Sequence, residues 1–157
     1  MSDNRTELEE LGEFGLIERL AKDIKIVNDS TKLGIGDDAA VIDSGDHYTL
    51  ISTDMLLEGV HFDLSYAPLQ HLGYKAIAVN VSDIAAMNGN PKQVTVSIGL
   101  SNRFSLEAIE TLYQGMNAAA EDFNVDIVGG DTSTSKSGLV ISISVLGTVD
   151  KDKVVYE

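Results

Sequence analysis

The feature that most constrains the fold is an apolar stretch from Tyr74 to Met87. Ala, Ile and Val residues surround the helix axis almost completely, which is typical of a buried helix. Two polar residues interrupt the stretch, Asn80 and Asp83, and their spacing of three places them on one helical face. An isolated buried carboxylate costs several kcal/mol or more unless it is paired, hydrogen-bonded or bound to a metal. Asp83 is therefore expected to have a partner, which is either a Lys or Arg or a group gathered from elsewhere in the chain.

Basic partners are scarce, because the chain has only 11 Lys and Arg residues but 25 Asp and Glu residues. The formal net charge of −14 disfavours nucleic acid and anionic membranes as partners. The chain has no cysteine, which excludes disulfides, thiolate metal sites and thiol catalysis. No apolar run approaches the roughly 18 residues of a membrane helix, and the polar, acidic N-terminus does not fit a signal peptide. These patterns predict a cytoplasmic protein.

The length of 157 residues predicts one domain, residues 13–157, preceded by a polar leader at residues 1–12. Helical spacing and strand alternation predict three helices, at 13–24, 74–87 and 105–123, and four main strands, at 48–57, 92–100, 125–128 and 139–149. Residues 28–33 have a turn-like composition, 58–66 suit a short extended segment, and 129–132 suit a turn after a strand.

Helices and strands alternate without regular βαβ repetition. This order predicts an α+β domain with helices on one face of a mainly antiparallel or mixed sheet. The other face would carry small residues, namely Thr95, Ser97, Ser142 and Ser144. That face is expected either to be solvated or to pack on a second sheet in a dimer.

Acidic residues fall in turns and at strand ends, often beside glycine, and one lies inside the apolar helix. They are Asp37, Asp38, Asp54, Asp83 and Asp131. Oxygen ligands without cysteine suit a hard cation, above all Mg²⁺. The alternative is that each acid caps its own turn, which is common for Asp. The phosphate-binding Gly-x-x-x-x-Gly-Lys-Ser/Thr and Gly-x-Gly-x-x-Gly motifs are absent. His61 by itself indicates only a surface or partly buried histidine.

Five segments taken together resemble the thiamine-monophosphate kinase family. In chain order they are GEFGLI at 12–17, GIGDDAAV at 34–41, STDMLLEGVHF at 52–62, GYKAIAVNVSDIAAM at 73–87 and VGGDT at 128–132. That family belongs to the superfamily of aminoimidazole ribonucleotide synthetase and selenophosphate synthetase. GEFGLI and STDMLLEGVHF indicate the thiamine branch, whereas the other segments are shared loosely across the superfamily. Asn88-Gly89-Asn90 departs from the family pattern, at the expected helix end.

The resemblance implies roles for particular residues. Mg²⁺ ions on the nucleotide phosphates would be held by Asp38, Ser52, Thr53, Asp54, Asp83 and Asp131. Tyr113, Gly130 and Asp131 would contact ATP, and His61 would face thiamine phosphate. No catalytic side chain is implied, because positioning and metal ions would drive the reaction.

The implied fold is an N-terminal domain like that of aminoimidazole ribonucleotide synthetase, which pairs through its sheet to form a homodimer. Because family members carry a second domain of similar size, this chain is expected to be an N-terminal domain, inactive or weakly active alone. The implied reaction is transfer of the ATP γ-phosphoryl group to thiamine monophosphate, giving thiamine diphosphate. Two alternatives remain: another ATP-dependent member of the superfamily, such as a purine-pathway synthetase, and a non-catalytic acidic module that binds metal and dimerises.

Overall fold

A computed structural model describes residues 8–157, which form a six-stranded sheet and three α-helices. A short 3-10 turn at Leu8–Glu10 precedes the first helix. The elements, in chain order, are α1 Gly12–Ala21, β1 Thr31–Leu33, β2 Ala40–Asp43, β3 His47–Leu57, α2 Leu69–Ala86, β4 Asn90–Leu100, α3 Leu106–Phe123, β5 Asp126–Thr134 and β6 Val140–Asp150.

The sheet has the strand order β1-β2-β3-β6-β4-β5. All neighbouring strands are antiparallel except β4 and β5, which run parallel and are joined by α3. The long strand β6 lies at the centre, where it pairs with β3 along eleven positions. The sheet is therefore mixed, as the sequence predicts.

Helices α2 and α3 lie on one face of this sheet, and α2 packs against β3, β4 and β6 while α3 packs mainly on α2. The core between them is apolar, with Ile77, Leu112, Met116, Ile143 and Val145 among its fully buried side chains. The side chain of Ser105 accepts a hydrogen bond from the Ala108 N–H at 3.2 Å and so caps the N-terminus of α3, at the residue where the sequence predicts this helix to begin. The α+β class with helices on one face is confirmed.

Three local predictions were wrong. Residues 31–33 form β1 instead of a turn, because β2 lies beside this short segment and pairs with it in an antiparallel manner. The Gly-Gly-Asp-Thr sequence lies inside β5, where pairing with β4 keeps it extended. Residues 58–62 close into a compact turn with one bridge between Glu58 and Phe62, and they form no strand.

The central helix also differs from its prediction, because α2 is buried on one side only. Ile77, Asn80 and Ile84 are buried, whereas Ser82 and Ala85 are exposed. The small side chains on the exposed side had made the helix look apolar all round. Asp83 lies at the boundary between the two sides and is half-buried.

The first helix and the predicted leader lie apart from the core. Residues 1–7 of the leader lie outside the described residues, and residues 8–10 form the 3-10 turn. The apolar stripe of α1 is exposed, with Phe14 at 86% and Leu20 at 65%. The predicted helix is present, but its stripe adds no buried residue to the core. Within residues 8–157 no helix combines the length and the apolar character required to cross a membrane.

Candidate functional site

The C-terminal half of β3 faces one turn of α2. Strand alternation sets this arrangement, because Ser52 and Asp54 pair with Val145 and Ile143, whose side chains are buried under the helices. Ser52 and Asp54 therefore occupy the helix-covered face of the sheet. Asn80 and Asp83 approach them from α2, as the contacts below show.

Two hydrogen bonds join the helix to the strand. The Ser52 hydroxyl donates to Oδ2 of Asp83 at 2.7 Å. The Asp54 backbone N–H donates to Oδ1 of Asn80 at 3.1 Å, while Nδ2 of Asn80 donates to the Ala76 carbonyl at 3.0 Å. Asn80 is only 1% exposed, so these bonds satisfy a buried amide and fix the backbone at Asp54.

The carboxylate of Asp83 lies in a negative environment. Burial raises its pKa, the Ser52 hydroxyl offsets part of that effect, and the charges of Asp54 and Asp38 raise it further. Within residues 8–157 none of these three acids forms an ion pair with Lys, Arg or His. Asp83 therefore forms no salt bridge with a Lys or Arg in the described part of the chain, which was the alternative that the sequence left open.

Asp38 reaches this group from the glycine-flanked bend that precedes β2. Its backbone N–H donates a hydrogen bond to Oδ1 of Asp37 at 2.9 Å. Asp37 thus shapes the bend, and the side chain of Asp38 remains half-buried beside Asp83. Of the six residues predicted to bind metal, Ser52 contacts Asp83 directly, and Asp38 and Asp54 lie near enough for their charges to raise the pKa of Asp83.

The other two predicted metal ligands lie on the opposite face of the sheet. Thr53 accepts a hydrogen bond from the Ser144 hydroxyl at 3.1 Å and donates to the Ile143 carbonyl at 3.0 Å. Asp131 pairs with Ser97, in the row of residues that faces away from the helices. Within a single chain, the sheet therefore separates Thr53 and Asp131 from Asp83.

The residues predicted to contact ATP share one cleft at the edge of the sheet. A cleft of about 540 Å³ is lined by Tyr113, Gly130 and Asp131, together with neighbouring residues of β4 and β5. Gly130 has a φ of +153°, and a Cβ there would lie 1.7 Å from the Val96 carbonyl oxygen, so only glycine fits. Burial raises the pKa of the Tyr113 hydroxyl. The ATP role of these residues stays a prediction.

His61 lies in the compact turn after β3, on the exposed surface. Its Nδ1 atom accepts a hydrogen bond from the Leu57 backbone N–H at 3.0 Å. Its backbone carbonyl accepts from Nζ of Lys75 at 3.4 Å. His61 is therefore held by the loop and does not extend freely, but no described contact links it to Asp83.

Within residues 8–157, no three His, Cys, Asp or Glu side chains converge closely enough to hold a metal ion by themselves. The sequence assigned no structural role to the amide of Asn80 or to the ion pair of Glu58 with Arg103. Asn80 had a signal in its spacing from Asp83, whereas the ion pair of Glu58 with Arg103 joins residues too distant in sequence to give one.

The chain matches the family model described as AIR synthase related protein, N-terminal domain, over residues 36–149. It is 38% identical over 143 residues to a thiamine-monophosphate kinase of Bacillus subtilis, covering 90% of this chain and 43% of that protein. It is 40% identical over 144 residues to the enzyme of the same name from Haemophilus influenzae, covering 91% and 43%.

A similar solved structure is described as AaThiL complexed with AMPPCP and TMP. Its TM-score is 0.85 at 35% identity, covering 98% of this chain and 47% of that one. The chain thus spans less than half the length of the relatives it matches. Because the family model covers most of the described sheet and both core helices, the chain belongs to the family of AIR synthase related proteins, N-terminal domain.

Proposed function

We propose that this chain is the MgATP-binding part of a thiamine-phosphate kinase, a phosphotransferase that uses a phosphate acceptor. The observation that carries the proposal is the group of Asp38, Asp54 and Asp83, which share one electrostatic environment without a basic partner in the described residues. The chain is also similar to proteins named thiamine-monophosphate kinase and to a structure complexed with AMPPCP, an ATP analogue. These similarities support the assignment to a thiamine-phosphate kinase.

The donor atoms present fit a hard divalent cation. Carboxylates of Asp38, Asp54 and Asp83 and the hydroxyl of Ser52 are all oxygen ligands, which Mg²⁺ prefers. Thr53 and Asp131 remain proposed ligands from the other face of the sheet. When bound, Mg²⁺ would neutralise phosphate charge and orient the phosphoryl group. The strongly acidic chain could then admit a polyanionic nucleotide only together with the cation.

The proposed reaction transfers the γ-phosphoryl group of ATP to the phosphate of thiamine monophosphate, giving thiamine diphosphate. A phosphate monoester has a second pKa of about 6 and is already anionic near neutral pH. The acceptor phosphate therefore needs no general base. For this reason no side chain is proposed to act as a catalytic base. The task of the protein is to hold two anions in line, and positioning with charge stabilisation accounts for most catalysis of this kind. Tyr113 and Gly130 would contact the nucleotide, and His61 would contact the acceptor.

We also propose that two copies pair through the uncovered sheet face. Thr95, Ser97, Ser142 and Ser144 lie there, half-buried and small enough for another sheet to approach closely. Pairing would also bring Thr53 and Asp131, which lie on that face, to the dimer interface. A cytoplasmic location fits a reaction that consumes ATP.

Calorimetry with ATP tests the nucleotide site. The 157-residue chain is expected to bind ATP in millimolar Mg²⁺ and to bind at least about tenfold more weakly in EDTA. Equal affinity in the two buffers would contradict a metal-dependent site. Absence of binding in both would favour the alternative of a non-catalytic acidic module.

A turnover assay separates the proposed kinase from other superfamily activities. A protein that contains this chain is incubated with MgATP and either thiamine monophosphate or a purine-pathway amide precursor, and the products are separated by chromatography. Thiamine diphosphate is expected from the first acceptor and no product from the second. The reverse result would assign the chain to a synthetase branch.

A further inference from the structure

Glu58, the first residue after β3, joins three loops at one end of the sheet. Its carboxylate accepts a hydrogen bond from the Leu139 N–H at 2.8 Å and forms an ion pair with Arg103. Its own backbone N–H donates to the Leu139 carbonyl at 3.0 Å. Glu58 is thus tied on both its main chain and its side chain to the residue that precedes β6. We call this group of Glu58, Arg103 and Leu139 the Glu58 clasp.

Charge and packing both favour an ionised Glu58 in this position. Burial raises the pKa of Glu58, but the Arg103 guanidinium and the Leu139 N–H outweigh that effect, so the pKa is lowered overall. The side chain is 18% exposed. Gly138 leaves room for it, because a Cβ at Gly138 would lie 2.7 Å from Oε2 of Glu58. Glu58 is therefore closely fitted against Gly138 and Leu139, whereas Arg103 reaches it from the surface.

The turn that the clasp anchors also fixes the imidazole of His61. The Leu57 N–H donates to Nδ1 of His61 at 3.0 Å, and the His61 N–H donates back to the Leu57 carbonyl at 2.9 Å. Gly59 donates to the carbonyl of Phe62 at 2.8 Å, and the Phe62 side chain is buried. His61 is therefore held at its backbone and at one ring nitrogen.

That ring contact decides which nitrogen carries the proton. An N–H donor can bond to Nδ1 only when Nδ1 has no proton, so the neutral ring carries its hydrogen on Nε2. Among the described residues, the ring hydrogen bond of His61 is made by Nδ1 and none is made by Nε2. The exposed side of His61 thus offers an N–H donor. Because Nε2 already carries the proton and Nδ1 is occupied by the Leu57 N–H, His61 cannot act as a proton acceptor while the contact with Leu57 persists.

We infer that Glu58 is a positioning residue, whose clasp holds His61 in the Nε2–H tautomer as a hydrogen-bond donor to an anionic oxygen of the acceptor phosphate. The identity of the acceptor rests on the proposed function, whereas the tautomer and its dependence on Glu58 do not. His61 accordingly binds and orients the acceptor and does not act as a base.

Nitrogen-15 NMR of the imidazole rings tests the tautomer directly. In the labelled chain at pH 8, His61 is expected to show the shift pattern of a single Nε2–H tautomer. His71 is the internal control, because it is exposed on α2 and has no described ring hydrogen bond, so it should show an averaged pattern. An averaged pattern at His61 would overturn the inference.

Variants of Glu58 test the positioning role. Glu58→Gln retains an acceptor for the Leu139 N–H and should keep the single tautomer. Glu58→Asp keeps the charge but shortens the side chain by one methylene, so the His61 pattern should shift towards that of His71. Thermal melts establish that both variants fold. An unchanged His61 pattern in a folded Glu58→Asp variant would show that the clasp does not position the ring.

Titration with thiamine monophosphate, in the presence of MgADP to prevent turnover, tests the ligand assignment. Binding should move the Nε2 resonance of His61, and Glu58→Asp should weaken thiamine monophosphate binding by about fivefold or more without changing MgADP affinity. Binding that leaves His61 unperturbed would overturn the donor role. Failure of the wild-type chain to bind thiamine monophosphate would contradict the proposed acceptor. The tautomer measurement needs no ligand and would test the role of Glu58 independently of that result.

Discussion

Asn80 is a buried polar residue that fixes the backbone of the candidate site. Its amide oxygen accepts from the Asp54 N–H and its amide nitrogen is satisfied by Ala76 one turn earlier. An aliphatic residue at this position would leave the Asp54 N–H unpaired, which costs about 1–3 kcal/mol when such a group is buried. The amide therefore fixes where the carboxylate of Asp54 leaves the strand, while Asp83 is fixed by Ser52.

The first prediction concerns Asp83. Asp83→Asn should weaken MgATP binding by about tenfold or more, because it removes a carboxylate from the proposed cation site. Asp46→Asn is the matched control, since Asp46 is exposed in the β2–β3 turn and its side chain pairs with the neighbouring His47. Calorimetry in Mg²⁺ measures both variants. Similar affinities for the two would contradict a metal role for Asp83.

The second prediction concerns the pH dependence of stability without metal. Because the pKa of Asp83 is raised above its ordinary value of 3.8, the folded state retains this proton to higher pH than the unfolded chain does. The stabilisation from the protonated form is complete below the ordinary pKa and is lost as pH rises through the raised one. In EDTA, Asp83→Asn should therefore be more stable than wild type at pH 7, with a smaller difference at pH 4. Urea denaturation at the two pH values measures this, and a larger advantage at pH 4 would contradict the assigned direction.

At the scale of elements, α2 and α3 approach each other through a glycine from each helix. A Cβ at Gly73 would lie 2.0 Å from the Leu112 carbonyl oxygen, and one at Gly115 would lie 1.8 Å from that of Gln70. These distances are far shorter than any van der Waals contact. The two helices can therefore stay in backbone contact only because both positions lack a side chain.

The third prediction follows from this contact. Gly115→Ala should lower the free energy of unfolding by about 2 kcal/mol or more, because the helices must separate to admit one methyl group. Gly15→Ala is the control, since a Cβ there meets only Leu11 at 3.6 Å and alanine favours a helix. Its effect should be within about 1 kcal/mol and stabilising. Chemical denaturation compares them, and equal effects would contradict the packing argument.

Helix α1 belongs to the same scale but contributes differently. Among the described elements its substantial contact is with the 3-10 turn before it, and it buries no residue. Its exposed stripe includes Phe14, Ile17 and Leu20. The helical period of the sequence was therefore a correct guide to helix formation but not to where the apolar side would lie.

At the scale of the whole molecule, the sheet is covered by helices on one face only. The uncovered face carries short hydroxyl side chains along β4 and β6, beside the exposed Met55 of β3. Small residues allow two sheets to approach closely.

The fourth prediction tests the proposed pairing of two such faces. Ser142→Arg places a long cation at the centre of the face and should convert a dimer into a monomer at micromolar concentration. Asn117→Arg, on the exposed side of α3, adds the same charge elsewhere and should leave the dimer intact. Sedimentation velocity distinguishes the two forms. A monomeric wild-type chain, or a Ser142→Arg dimer, would contradict pairing through this face.

The sequence by itself determined the local structure, because periodicity and capping act between residues close along the chain. Alternation along β4 and β6 and the stripe of α3 with its Ser105 cap identify these elements directly. The resemblance over five segments identified the family and the candidate residues. The spacing of Asn80 and Asp83 correctly predicted that both lie on one face of the helix, and in the structure both contact β3.

Tertiary structure alone decided which candidates meet. Thr53 follows Ser52 directly and resembles it chemically, yet strand alternation and the position of α2 place them on opposite faces of the sheet. The Gly-Gly-Asp-Thr sequence has turn composition but is extended, because β4 provides a parallel partner from a distant part of the chain. The Glu58 clasp likewise joins residues 58, 103 and 139. Contacts of this kind depend on the global topology, on which local propensity carries no information.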